Sequence, residues 1–116
     1  MLFRSSLYRE TLLVWRQLGN RGAVARILEC LAFAIAQQAR AGVAGQPLGD
    51  FSRAARLLGA AEALRTDSGS PMMGAEYAEY EGEVAALRGD MDEEAFKAGW
   101  ETGRRLTLEQ AIQAAL

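Results

Sequence analysis

Between Asp50 and Arg65 the chain reads Asp-Phe-Ser-Arg-Ala-Ala-Arg-Leu-Leu-Gly-Ala-Ala-Glu-Ala-Leu-Arg, and few folds accommodate such a stretch. It contains no β-branched residue. Phe51, Ala54, Ala55, Leu58, Ala61 and Leu64 recur at the helical period, with Leu57 widening the face. Asp50 supplies an N-cap oxygen. Small side chains at Ala54 and Ala61 flank the larger Leu58, so a neighbouring helix can approach closely. The stretch predicts the second helix of an α-hairpin.

Most of the remaining chain keeps the same period. From Phe3 to Leu18, Phe3, Leu7, Thr11, Val14, Trp15 and Leu18 share one side, and Gly19-Asn20 stops the helix. A second helix is predicted from Arg21 or Gly22 to Arg40, with Val24, Ile27, Leu28, Leu31 and Ile35 as its main stripe. Cys30 and Phe33 point elsewhere, so this helix is expected to lie between two others. Ala41 to Gly49 holds Gly42, Gly45 and Pro47 and reads as a loop. After the break at 66–71, Ser70-Pro71 suits a helix start. The fourth helix carries Met73, Tyr77, Tyr80, Val84 and Leu87 on one face and ends at Gly89. Asp90 with Glu93, and Thr107 with Gln110, have capping-box spacing. They open a fifth helix with Phe96, Gly99, Trp100 and Gly103 on its stripe, and a sixth with Leu108, Ala111, Ile112 and Ala115 inward. Six helices without strands, in one domain over 1–116, are the expectation.

Composition narrows the function. The chain has 116 residues, half of them apolar, which excludes disorder and permits a core. A net charge of −2 gives no general attraction to DNA or to an anionic membrane. There is no histidine, so the commonest general base and zinc ligand are both missing. The single Cys30 excludes an internal disulfide and fits a reducing cytoplasm. No run resembles a signal peptide or a membrane span.

Each chemical motif has a plainer reading. Cys30 sits mid-helix with no cation cluster to activate it. The Gly19-Asn20-Arg21-Gly22 turn lacks the Lys-Ser/Thr ending of a phosphate loop. Asp90, Asp92, Glu93 and Glu94 lie at a helix start, where acids favour the dipole. Arg53, Arg56, Arg65 and Arg104-Arg105 form a solvated face. Glu62 is expected to pair with Arg65 or Arg26. Catalytic residues, cofactors and metal ligands are therefore all expected to be none, and an enzyme is not expected.

Helix pairs of this kind resemble tetratricopeptide repeats. Leu31-Ala32 stands at the repeat's Leu-Gly, Ala54 and Leu58 at its Ala-x-x-x-Phe, and Ala61 at its second small residue. The connection from Ala32 to Asp50 is about ten residues longer than the period allows. Leu-Val-Trp-Arg-Gln-Leu-Gly-Asn (13–20), the 54–65 segment, Glu-Glu-Ala-Phe-Lys-Ala-Gly-Trp (93–100) and Leu-Thr-Leu-Glu-Gln-Ala-Ile (106–112) together resemble a larger setting. It is the C-terminal end of the helical-repeat region in bacterial signalling ATPases and LuxR-type transcriptional regulators.

That resemblance implies a right-handed stack of α-hairpins, tetratricopeptide-like over 3–66 and capped by helices over 71–116. It implies a cytoplasmic, non-catalytic domain for protein–protein interaction or signal relay. The partner would be a protein segment or a neighbouring domain of a larger regulator, with no direct nucleic-acid binding and no membrane. Arg26, Glu29, Phe33 and Gln37, which lie off the main stripe of the second helix, are the expected partner-binding residues. Leu7, Thr11 and Trp15, left without a preceding helix, are the expected self-association patch of a homodimer. The alternatives are a small-molecule effector sensor around Tyr80 and Trp100, and a DNA-binding regulator in its own right.

Overall fold

Among the described residues six helices follow one another: α1 (Leu2–Leu18), α2 (Arg21–Arg40), α3 (Pro47–Ser68), α4 (Ala75–Asp90), α5 (Glu93–Arg104) and α6 (Leu108–Ala115). The computed structural model describes residues 2–42 and 47–115, with side chains from 9 to 42 and from 49 to 115. No strand occurs among the described residues, and the all-α helical stack is as expected.

The 50–65 stretch is the centre of the packing. Ala54, Ala55, Leu57, Leu58 and Ala61 have no exposed surface, and α2, α5 and α6 all pack on this helix. From α2, Val24, Leu28, Leu31, Ala32 and Ala36 complete the interface, and α1 closes its far side through Leu12. The apolar two-sidedness of α2 thus has its physical cause: one side meets α1, the other α3.

The α3–α5 contact depends on glycine. A methyl group at Gly59 would overlap the Trp100 carbonyl oxygen, and one at Gly103 would overlap the Arg56 carbonyl oxygen. At Gly99 it would press on Ala55 Cβ at 3.0 Å. The backbones come too close for any side chain between them. On α6, Ala111, Ile112 and Ala115 are buried, and the Arg53 guanidinium donates to the Ala114 and Ala115 carbonyls at the helix end.

Helix ends follow local chemistry in some places and depart from it in others. Asn20 Oδ1 accepts from Ala23 N at 2.9 Å, capping α2 behind Gly19, whose φ is +73°. Thr107 and Gln110 make both bonds of a capping box, at 3.2 and 2.9 Å. By contrast, Asp50 lies inside the first turn of α3, because Pro47 starts the helix where its missing N–H is harmless. Gly74, not Ser70, precedes α4, and Gly89 is inside that helix. Asp90 closes α4 and pairs with Arg40, while Asp92 stands at the start of α5.

The face of α1 also differs from the expected one. Leu12 is fully buried and Trp15 packs partly on the core, whereas Val14 and Leu18 are exposed. Trp15 is therefore covered in part by the chain's own core. Thr11 is half-buried, and the side chain of Leu7 lies outside the described residues.

Candidate binding groove between α2 and α4

Helix α4 is seated more loosely than its neighbours, and of its residues only Leu87 is buried. It lies across α2 through a short row of aromatic rings. Phe33 meets Tyr80 edge-on at 6.1 Å, and Tyr80 stacks against Tyr77 at 6.5 Å with a 25° tilt. The three-residue spacing of Tyr77 and Tyr80 puts both rings on the side of α4 facing α2.

Two hollows meet at Tyr80. The larger, about 400 Å³, is lined by Glu29, Glu62, Arg65, Ser70, Tyr77 and Tyr80 among others. The smaller, about 220 Å³, lies between Arg26, Phe33 and Gln37 on α2 and Glu79, Tyr80 and Glu83 on α4, with Cys30 in its wall.

At the base of the larger hollow a buried ion pair ties four pieces of chain together. Arg65 Nε donates to Glu29 Oε2 at 2.7 Å and Nη2 donates to Glu29 Oε1 at 2.9 Å, the bidentate fork that guanidinium and carboxylate favour. Arg65 Nη1 donates to the Ser70 carbonyl at 3.0 Å, and Nη2 also reaches Glu76 at 3.4 Å. One guanidinium thus connects α2, α3, the α3–α4 turn and α4. The Glu29 side chain is 1% exposed and that of Arg65 13%.

Burial pushes the Glu29 carboxyl up from 4.5 while the hydrogen bonds and charge of Arg65 pull it down. Hydrogen bonding to Glu29 raises Arg65 in turn. Tyr80 is pushed up to about 12, first by burial and then by the Glu29 charge. Burial also raises the Cys30 thiol, which keeps it protonated and a poor nucleophile.

The structure gathers three of the four residues expected to meet a partner: Arg26, Phe33 and Gln37 line the smaller hollow. Glu29 faces the other way, into the pair with Arg65, because its place on α2 turns it toward α3. Glu62 is not the partner of Arg65 or Arg26. It pairs with Arg104 and accepts from Trp100 Nε1 at 3.3 Å. Trp100 lines neither hollow at Tyr80. It packs on Phe96 at 5.5 Å beside a separate hollow of about 210 Å³. Sequence reasoning missed Glu79 and Glu83, although their four-residue spacing beside Tyr80 was available as a signal.

With this geometry in hand, comparison places part of the chain. Over 77 residues, or 66% of the chain, it is 39% identical to proteins of Mycobacterium tuberculosis and Mycobacterium bovis provisionally named HTH-type transcriptional regulators. The chain spans only 9% of the length of these relatives. No protein-family profile and no solved structure matches it. The names overturn one expectation. The expected absence of direct nucleic-acid binding is contradicted by these relatives, which are named as regulators of the helix-turn-helix type, a class that binds DNA. No described helix is long and apolar enough to cross a membrane.

Proposed function

We propose that this chain is a non-catalytic interaction and signal-relay segment of a large HTH-type transcriptional regulator, built on the tetratricopeptide-like plan. The supporting observation is the 39% match to such regulators, in which a stretch of this length is one small part. In this reading α3, gripped by α2, α5 and α6, is the fixed body. The lightly seated α4 is the element that moves when the α2–α4 groove is filled. The DNA contact belongs to the regulator's activity as a whole.

A photocrosslinking residue at Gln37, which lines the groove and is exposed, tests this reading in the source cell. The expected product is an adduct to one defined polypeptide segment, reduced when Phe33→Ser is added. Adducts only to nucleic acid, or none, would contradict it. A second reading, effector sensing, is favoured by the 400 Å³ hollow, a volume in the range of small-ligand sites. A low-molecular-weight compound retained by the purified protein would support it.

A further inference from the structure

The groove has a chemical bias that identifies what fits it. Glu79 and Glu83 stand one helical turn apart on its α4 wall, and neither is held in an ion pair among the described residues. Glu76, Glu79, Glu81 and Glu83 make this helix strongly acidic, with Arg88 as its cation. Beside them runs the row Phe33, Tyr80, Tyr77, of which Tyr77 is 49% exposed and lines the adjoining larger hollow. A trough that offers carboxylates at its rim and aromatic faces on its floor suits a planar cation. Guanidinium satisfies both at once, by forked hydrogen bonds to carboxylate and by stacking on a ring.

The same arrangement already exists inside this protein. The Arg88 guanidinium lies 5.0 Å over the Phe96 ring while it pairs with Glu93. Arg65 makes the forked contact to Glu29 in the adjoining hollow. In the α2–α4 groove the rings and the carboxylates are present, and among the described residues the one cation lining the smaller hollow is Arg26.

We propose that the groove walled by Phe33, Tyr77, Tyr80, Glu79 and Glu83 is the docking site for an arginine-bearing segment of a partner polypeptide. This rests on the relay reading and adds the chemistry of the partner to it. Two hollows that meet at Tyr80 suit an extended or helical stretch carrying more than one arginine, rather than a single small cation.

The test uses the full chain and three fluorescein-labelled dodecapeptides in which serine alternates with arginine, lysine or citrulline, read by fluorescence anisotropy at low salt and at physiological salt. Expected is saturable one-to-one binding of the arginine peptide that persists at physiological salt, with the lysine peptide weaker and the citrulline peptide silent. Glu79→Gln with Glu83→Gln should weaken it about fivefold or more, the loss of two partly exposed charge pairs. Tyr77→Ser, at an exposed position that leaves the core intact, should erase the preference for arginine over lysine. The control Glu101→Gln, on an exposed part of α5, should change nothing.

Equal binding of arginine and lysine peptides that vanishes with salt and ignores Tyr77 would overturn the proposal, as would no binding at all. Failure here together with a polypeptide adduct at Gln37 would leave the relay reading standing with a partner of other chemistry. Arginine-peptide binding without any adduct in the cell would sink the relay reading instead.

Discussion

Glu29 and Arg65 form the most deeply buried ion pair among the described residues, and the two are not equivalent. Removing Arg65 leaves a carboxylate that is 1% exposed without its counter-charge, whereas removing the charge of Glu29 leaves Arg65 bonded to Ser70 and Glu76. Arg65→Met should therefore destabilise by about 3–5 kcal/mol, and the double change to apolar residues by much less. Urea unfolding of both variants measures this. Glu29→Gln adds a pH signature. A carboxyl raised by burial contributes most below 4.5, its ordinary value, and loses that contribution as pH rises through its raised folded-state value. The variant's stability relative to the parent should thus improve between pH 4.5 and pH 7.

Tyr80 titrates in the same surroundings. Its folded-state value near 12 exceeds the ordinary 10, so its contribution holds below pH 10 and is lost as pH rises through about 12. Absorbance at 295 nm should show a tyrosine ionising step near pH 12, and Tyr80→Phe should remove that step. None of this was legible in the sequence. Arg65 lies three residues from Glu62, and local spacing favours that pair, but the fold brings it to Glu29, 36 positions away. Local rules see neighbours along one helix and are blind to which helix arrives alongside.

At the scale of helices, the elements themselves were legible because apolar residues recur at the helical period between Gly- and Pro-marked breaks, and the capping box of α6 followed from Thr107 with Gln110, whereas Asn20, which reads as a turn residue, also caps α2. Boundaries were less so. Pro47 looked like a loop residue but opens α3, since proline reads equally as a break and as a first-turn residue. The inward face of α1 is shifted from the one its period suggests: Leu12 to Val14 are three successive apolar residues, and contact with α2 selects Leu12 and Trp15 while Val14 stays exposed.

Glycines supply a paired test at this scale. Gly82, in the middle of α4, has nothing within 4 Å of where a methyl would stand, so Gly82→Ala should raise stability by up to about 1 kcal/mol through helix propensity. Gly103→Ala on α5 would strike the Arg56 carbonyl and separate α5 from α3. Thermal unfolding should move in opposite directions for the two. Equal shifts would mean that the close α3–α5 approach does not exist.

Across the whole molecule, burial is uneven. α3 is surrounded by α2, α5 and α6, whereas α4 buries only Leu87 and rests on an aromatic row and the Arg65 cluster. Free energies of local opening should follow that order, since helices with few buried apolar contacts open first. This imbalance gives the relay reading its mechanism: a partner segment that fills the groove adds contacts to the one helix that lacks them. The overall stack was legible from Asp50–Arg65 outward, but the groove was not wholly so. Three residues placed on α2 line it, and its acidic wall on α4 emerges only when the two helices are set side by side.

Amide hydrogen exchange resolved by helix, with and without the arginine dodecapeptide, tests this most directly. α3 should exchange slowest and α4 much faster, and the peptide should slow α4 and the middle of α2 while leaving α5 and α6 unchanged. Protection of α4 equal to that of α3 in the free protein, unaltered by the peptide, would contradict it.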